Sequence, residues 1–189
     1  MFIIVEGPDG AGKSTAIDQL THALWKHKRG CVLVNPKRSP NQHALIEYKE
    51  RLDFYQPGSG VDLILDRSWY SEPIYGPIWR GTSSVTLYQR QQLEAWALAK
   101  GAVVVLLEET DETLVERVFS RSDDVDVEHM TPELVREYAY QYRLQSQSWL
   151  LPKVRFSPGF DFQVWPTIRH AEVYERLALE HNQTTEENK

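Results

Sequence analysis

The residues that most clearly indicate chemistry form a glycine-rich run near the start of the chain. The run Gly7-Pro8-Asp9-Gly10-Ala11-Gly12-Lys13-Ser14-Thr15 contains the pattern G-x-x-x-x-G-K-S, between an apolar segment and a segment with helical periodicity. Backbone N–H groups of such a loop point inward around a phosphate, and the following helix adds its positive N-terminal end. Lys13 is expected to reach the β and γ phosphates of a nucleotide such as ATP, with Ser14 on Mg²⁺. The sequence therefore predicts nucleotide binding by this loop.

Charged residues also follow two other apolar segments. Asp66 and Arg67 come directly after Leu63-Ile64-Leu65, and the basic pair Lys37-Arg38 follows Val34. Open α/β sheets bind ligands at the carboxyl ends of their strands, so Asp66 could hold Mg²⁺ or its water there. Arginine binds phosphate oxygens in a bidentate way, so two basic loops beside the γ-phosphate suit an anionic acceptor. A capping role for Asp66 and surface salt bridges for Arg38 and Arg67 are the alternatives.

Two arginines precede a polar break. Arg117 and Arg121 are four residues apart on one predicted helix face that leads into the polar segment 121–128. This arrangement could close a short lid over a transferring phosphate. A solvated helix face is the alternative interpretation.

The elements that must position these residues are short apolar runs and amphipathic helices. The runs typical of strands are Phe2–Val5, Cys31–Val34, Val61–Leu65, Ala102–Leu107 and Phe162–Trp165. Helices are predicted over residues 13–27, 86–100, from Thr131 to about Leu150, and after Pro166. This alternation predicts an α/β fold, a doubly wound parallel sheet of about five strands with helices on both faces.

Composition limits the domain count and the partners. The 189 residues fit one domain over residues 1–181, with the lid at about 121–130 and a flexible polar tail at 182–189. A net charge of −6 argues against nucleic acid or an anionic membrane as a main partner. The single cysteine, Cys31, predicts a reducing compartment and a buried strand thiol. With no signal-like N-terminus and no apolar stretch of bilayer length, we expect a cytoplasmic protein.

Four segments together resemble the thymidylate kinase family of P-loop nucleoside monophosphate kinases. They run from Phe2 to Thr15, from Asn35 to Ser39 (N-P-K-R-S, similar to F-P-x-R), from Asp66 to Tyr75 (D-R-S-W-Y-S-E-P-I-Y, similar to D-R-Y-x-x-S-x-x-A-Y) and from Leu107 to Arg121. The stretch Ser71–Gly81 is also similar to compact, phage-type members. The resemblance implies a P-loop fold, transfer of the γ-phosphate of ATP with Mg²⁺, and a homodimer.

On the donor side, the resemblance implies a role for five residues. Lys13 and Ser14 would serve the ATP phosphates and Mg²⁺, and Asp9 would approach the metal and the acceptor sugar. Arg117 would lie against adenine, and Arg121 would come over the phosphates.

On the acceptor side, the resemblance implies that Arg38 and Arg67 hold the 5′-phosphate. Ser71 and Tyr75 would line the deoxyribose and base pocket. The family's base-contacting F-x-x-x-R pair has no clear counterpart, and its candidates are Tyr48, Arg51 and Phe54. The expected acceptor is a (deoxy)nucleoside 5′-monophosphate, dTMP or a related pyrimidine deoxynucleotide.

Two other functions remain open. The segment from Asp66 to Ser71 also resembles the E-R-S-x-Y-S motif of deoxynucleoside kinases, but a nucleoside hydroxyl needs a carboxylate as general base after the second strand. This chain has Pro36-Lys37-Arg38 there. The other function is a nucleotide-dependent switch or binding module, although the chain lacks the N-K-x-D segment usual in guanine-binding switches.

Overall fold

The computed structural model describes residues 1–35, 44–120 and 129–156. In chain order the elements are β1 (Phe2–Glu6), α1 (Lys13–Lys26), β2 (Gly30–Val34), α2 (Ala44–Phe54), β3 (Val61–Asp66), α3 (Glu72–Arg80), α4 (Leu87–Ala99), β4 (Ala102–Leu107), α5 (Asp111–Phe119), α6 (Pro132–Gln145) and β5 (Lys153–Phe156). The five strands form one sheet in the order β2-β3-β1-β4-β5, and every neighbouring pair is parallel.

Helices cover both faces of this sheet, and the central strand β1 contributes side chains to the core on each face. Phe2 and Ile4 of β1 pack into the core that α4 completes with Leu93. Ile3 of β1 packs into the opposite core, to which α1 contributes Leu20. Side chains alternate across a strand, so an uninterrupted apolar run is what a strand covered on both faces needs. The predicted α/β fold is confirmed.

The topology places a crevice between β1 and β3. These strands are neighbours with Val5 in register with Asp66, but the chain leaves them toward opposite faces, into α1 after β1 and into α3 and α4 after β3. Adjacent strands whose connections diverge leave an open groove at their carboxyl ends, where α/β proteins bind ligands. The glycine-rich loop and the Asp66-Arg67 pair therefore share one edge of the sheet.

The predicted helices over 13–27 and 86–100 form as α1 and α4, and α4 starts with a capping box between Thr86 and Gln89. The helix predicted from Thr131 also starts there, since the Thr131 hydroxyl accepts from the Leu134 N–H. It ends at Gln145 and not near Leu150, and a 3₁₀ turn over Ser146–Ser148 follows. Pro152 lies shortly beyond and cannot continue a helix.

The end of the sheet differs from the prediction. The fifth strand is β5, over Lys153–Phe156, paired with β4; the predicted strand at Phe162–Trp165 lies outside the described residues, as do the last helix and the 182–189 tail. At the other edge, β2 is half-exposed and Cys31 is partly buried, because an edge strand has a neighbour on one side only. In the described part of the chain the helices are all too short or too polar to span a bilayer.

Candidate active site

The glycine-rich loop joins β1 to α1 through backbone conformations that favour glycine. Gly7 has φ +149°, and a Cβ there would lie 2.6 Å from the Leu107 carbonyl oxygen of β4. Gly10 has φ +83°, and its Cβ would lie 3.0 Å from the Leu114 carbonyl oxygen of α5. Only glycine avoids both the collision and the left-handed strain at these points. The loop therefore sits directly against β4 and α5, with Ser14 and Thr15 exposed at the start of α1.

Lys13 folds back over this loop. Its Nζ donates to the Gly7 carbonyl at 2.9 Å and to the Pro8 carbonyl at 2.7 Å, and it lies 3.8 Å from an Asp9 carboxylate oxygen. Only 10% of the side chain is exposed. Burial, and next the positive charge of Arg67, lower the pKa of Lys13 to about 7, while the Asp9 carboxylate acts in the opposite direction. The ammonium group is thus poorly neutralised and would be stabilised by an anion.

Arg67 reaches the same loop from the end of β3. Its Nη1 donates to the Gly7 carbonyl at 3.2 Å and to the Tyr142 hydroxyl at 2.9 Å, and its Nη2 pairs with Asp9. The guanidinium carbon lies 4.7 Å from the centroid of the Tyr75 ring, a cation–π contact. Arg67 also has φ +70°, a left-handed conformation that costs a non-glycine residue about 1 kcal/mol or more.

The two cations converge. Lys13 Nζ and Arg67 Nη1 donate to the same Gly7 oxygen, so these nitrogens lie within about 6 Å of each other. Both also face the Asp9 carboxylate, whose side chain is 38% exposed. Like charges at this distance repel each other, which matches the lowered pKa of Lys13.

Ser71, which is buried, and Tyr75, which is half-buried, lie beside Arg67 at the start of α3. The Ser71 hydroxyl donates to Glu6 at 2.8 Å and lies 2.8 Å from the Tyr142 hydroxyl. The Tyr75 ring packs 4.4 Å from that of Tyr138 and 6.1 Å from that of Tyr142. The structure thus brings Ser71 and Tyr75 together with Arg67.

Glu6 and Tyr142 are the members of this group to which the sequence assigned no role. Glu6 is fully buried at the end of β1. The sequence did carry a signal for Glu6, since a carboxylate that ends the apolar run Phe2–Val5 is placed in the core and must be paired there. Tyr142 is among the buried residues of α6, and no local pattern in the sequence links it to Glu6.

The residues for a magnesium ion offer one hydroxyl and one carboxylate. Ser14 is exposed at the start of α1, and Asp66 is half-buried at the end of β3, where it accepts from the Asn35 side chain at 3.0 Å. The negative charge of Asp66 acts on the pKa of Lys13, so the carboxylate lies within electrostatic reach of the phosphate loop. Mg²⁺ commonly takes one or two protein oxygens and completes its shell with phosphates and water, so this donor set fits. Across residues 1–35, 44–120 and 129–156, no cluster of three His, Cys, Asp or Glu side chains suits a metal.

Arg117 lies on the outer side of the loop. It donates to the Gly10 carbonyl at 3.3 Å and pairs with Glu109 at 3.2 Å. Arg117 thus contacts the glycine-rich loop, and its expected contact with adenine stays a prediction. Arg38, Arg121 and the polar segment 121–128 lie outside the described residues.

The candidates for the base-contacting pair differ in how far they are buried. Tyr48 of α2 is buried with its ring edge-on to Trp69, and the Arg51 guanidinium lies 5.8 Å from the Tyr48 ring. Phe54 is 72% exposed at the end of α2. Trp69 is fully buried in the core, where its ring packs against those of Tyr48 and Tyr70.

Comparison with solved structures identifies similar folds. The YorR protein from Bacillus subtilis, in complex with phosphorylated GDP, has a TM-score of 0.69 and 23% identity, covering 96% of this chain and 98% of that one. Deoxyadenosine kinase from M. mycoides with bound dATP has a TM-score of 0.54 and 13% identity, covering 94% and 99%. The same enzyme with dCMP and dCDP has a TM-score of 0.51 and 14% identity, covering 97% and 100%. At these identities the likeness shows the fold.

Comparison of the sequence with models of protein families identifies the family. No curated protein sequence matches the chain. The family model of polyphosphate kinase 2 matches residues 1–137, a range that includes the glycine-rich loop, Asp66-Arg67 and Arg117. The expectation of a P-loop phosphotransferase is confirmed at this level, whereas thymidylate kinase-like specificity stays a prediction. The chain belongs to the polyphosphate kinase 2 family.

Proposed function

We propose that the protein transfers the terminal phosphoryl group of a donor held by the glycine-rich loop to the 5′-phosphate of a (deoxy)nucleoside monophosphate. One observation carries the proposal: Lys13 and Arg67 converge on the Gly7 carbonyl oxygen from opposite elements, α1 and β3. One cation belongs to the donor loop and the other to the neighbouring strand end. A pair of phosphates, one on each side, is the ligand that this charge distribution suits.

The chemistry needs little beyond position and charge. An oxygen of the acceptor phosphate attacks the terminal phosphorus of the donor, the bond from that phosphorus to its bridging oxygen breaks, and the shortened donor leaves with the bridging oxygen. The acceptor oxygen is already ionised at neutral pH, so no general base is required. Lys13 would hold the donor phosphates and Arg67 the acceptor phosphate, whose oxygens would replace the Asp9 carboxylate as the partner of Arg67.

Magnesium would be held by Ser14 and Asp66, directly or through water. When bound, Mg²⁺ neutralises charge on the donor phosphates. The Asn35 side chain orients Asp66 by donating to its carboxylate. In the proposed site, Arg38 and Arg121 would add further positive charge on the acceptor and donor sides.

The donor is ATP in this proposal, with inorganic polyphosphate as the second candidate because of the family to which the chain belongs. Both donors present a phosphoanhydride chain to the glycine-rich loop, and only ATP presents adenine. Arg117, beside the Gly10 carbonyl, is the residue expected to contact adenine. Arg117→Ala should therefore raise KM for ATP about tenfold and leave KM for polyphosphate nearly unchanged.

The acceptor that we propose is dTMP or a related pyrimidine deoxynucleotide, on the resemblance of Asp66–Tyr75 to thymidylate kinases. Two likenesses define the competitors. The YorR structure holds phosphorylated GDP, which makes guanine nucleotides a test case. The deoxyadenosine kinase structures make nucleosides a second one.

The experiment is a matrix of donors and acceptors. Purified protein with Mg²⁺ is incubated with ATP or polyphosphate and with each common deoxy- and ribonucleoside 5′-monophosphate or nucleoside, and products are identified by mass. Diphosphates formed from monophosphates support the proposal and define the base. Monophosphates formed from nucleosides would replace it with the nucleoside kinase alternative, and donor binding without any transfer would favour a binding module.

A further inference from the structure

Glu6 is a buried acid that the proposed transfer step does not use. It is the last residue of β1, immediately before the glycine-rich loop, and its side chain is inaccessible to solvent. Burying a carboxylate is costly unless several donors satisfy it. Burial raises the pKa of Glu6, and the nearby Arg67 charge and three hydroxyl donors act in the opposite direction. A carboxylate that is buried at this cost in free energy is expected to have a structural or functional role.

Its hydrogen bonds come from two distant parts of the chain. Ser68 donates to one carboxylate oxygen at 2.7 Å, and Ser71 donates to the other at 2.8 Å. The Tyr142 hydroxyl of α6 donates to that second oxygen at 3.1 Å. Glu6 therefore ties β1, the β3–α3 connection and α6 together at the floor of the site.

Counting the protons shows in which direction these hydrogen bonds run. A tyrosine hydroxyl has one proton to donate and lone pairs to accept with. Arg67 Nη1 donates to the Tyr142 oxygen at 2.9 Å, so the proton of Tyr142 is left for the Glu6 side. It reaches Glu6 directly at 3.1 Å or through the Ser71 hydroxyl, which lies 2.8 Å from Tyr142 and itself donates to Glu6. The order is Arg67 to Tyr142 to Glu6, and an ionised Glu6 leaves Tyr142 with a lone pair aimed at the guanidinium.

The partners of Arg67 fall into two classes. Asp9 is 38% exposed, so a phosphate arriving from solvent can displace it. Tyr142 is buried, as are Glu6 behind it and the Gly7 carbonyl on the other side of Nη1. The buried partners therefore stay in place when the exposed one exchanges.

We propose that Glu6 and Tyr142 are positioning residues that fix the Arg67 guanidinium from behind, so that its Nη2 edge exchanges Asp9 for the acceptor phosphate without losing its orientation. This inference rests on the proposed function for the identity of the acceptor. The orientation of Arg67 itself is a property of the free protein. Neither Glu6 nor Tyr142 needs to touch substrate.

The test compares two ring-preserving substitutions. Tyr142→Phe removes the hydroxyl between Glu6 and Arg67. Tyr70→Phe is the matched control, because the Tyr70 hydroxyl also donates to a buried carboxylate, Glu94 of α4, at 2.8 Å. Thermal melts check that both variants fold.

Two readouts separate this inference from the proposed function. In nitrogen-15 spectra the Arg67 side-chain signal, assigned with Arg67→Lys, should be sharp in the wild type and in Tyr70→Phe, and broadened in Tyr142→Phe. In the transfer assay Tyr142→Phe should lower kcat/KM for the acceptor about 10- to 100-fold while KM for the donor stays unchanged.

The outcomes are distinguishable. If no monophosphate is phosphorylated by the wild type, the proposed function fails, and the spectra still decide whether Tyr142 fixes Arg67. An Arg67 signal that is the same in Tyr142→Phe as in the wild type overturns the inference. Equal losses of kcat/KM in Tyr142→Phe and Tyr70→Phe overturn it as well. Glu6→Gln should repeat the Tyr142→Phe pattern, because an amide can donate to Tyr142 and reverse its hydrogen bond.

Discussion

Lys13 should take up a proton when phosphates bind to the glycine-rich loop. In the free protein its pKa is lowered to about 7 by burial, and next by the charge of Arg67. A polyphosphate chain brings several negative charges to the same ammonium group, which favours its charged form. The pKa of Lys13 in the complex should therefore return toward the ordinary value of about 10.4.

The size of the effect follows from that pKa. At pH 8 a group with a pKa of about 7 is about 10% protonated, so binding should take up about 0.9 proton per site. At pH 6 the uptake from Lys13 should be only about 0.1 proton. Since the free protein gives up this proton as pH rises, affinity should weaken by about tenfold for each pH unit above 7.

The assay is isothermal titration calorimetry of ATP with Mg²⁺, and of polyphosphate in parallel, in buffers with different ionisation enthalpies. The slope of the observed enthalpy against the ionisation enthalpy gives the number of protons. At pH 8 the terminal phosphate, with a pKa of about 6, is already ionised and contributes little. Lys13→Arg is the control, because arginine stays charged and should bind without this uptake.

Either of two results would show that Lys13 does not take up the proton. One is a wild-type protein that takes up no proton at pH 8. The other is a Lys13→Arg variant that binds the same ligand and takes up as many protons as the wild type does.

The remaining predictions concern the elements that hold the site. Gly7→Ala should lower the free energy of unfolding by about 2 kcal/mol or more and abolish transfer, because its Cβ would meet the Leu107 carbonyl oxygen at 2.6 Å. Gly58→Ala, with positive φ but open space, should cost about 1 kcal/mol, and equal losses in denaturant melts would contradict the collision argument. Thr86→Ala should cost about 1 kcal/mol by removing the α4 capping box and should leave kcat unchanged, so a fall in kcat at full folding would be the contrary result.

The parts of the fold that sequence predicted are those with a strong local pattern. The run Phe2–Val5 followed by the glycine-rich loop and Lys13 directly predicts a strand, a loop and a helix. The helix α4 was predicted from its helical periodicity, and α6 from the capping Thr131 followed by Pro132. α2 was not predicted, although its buried Ala44, Tyr48 and Leu52 recur every four residues.

The strand β5 was not predicted, for a physical reason. β5 alternates Lys153 and Arg155 with Val154 and Phe156, the pattern of an edge strand and not of a strand covered on both faces. A search for continuous apolar runs therefore passes over it.

The candidate site also contains some residues that the sequence predicted and others that it did not. Lys13, Asp66 and Arg67 follow strands or a recognisable loop, so their shared edge was predictable from the rule on strand ends. The contact of Glu6 with Tyr142 joins residues 136 positions apart, and tertiary packing alone brings them together. No periodicity within one element encodes such a pair.

In the proposed reaction, Lys13 serves the donor and Arg67 serves the phosphate of the acceptor. The most direct measurement is steady-state transfer to the best monophosphate by Arg67→Ala, together with calorimetric affinity for the donor. We expect kcat/KM for the acceptor to fall by about a hundredfold or more while the donor dissociation constant changes less than about threefold. Wild-type transfer by Arg67→Ala, or a loss confined to donor binding, would contradict the account.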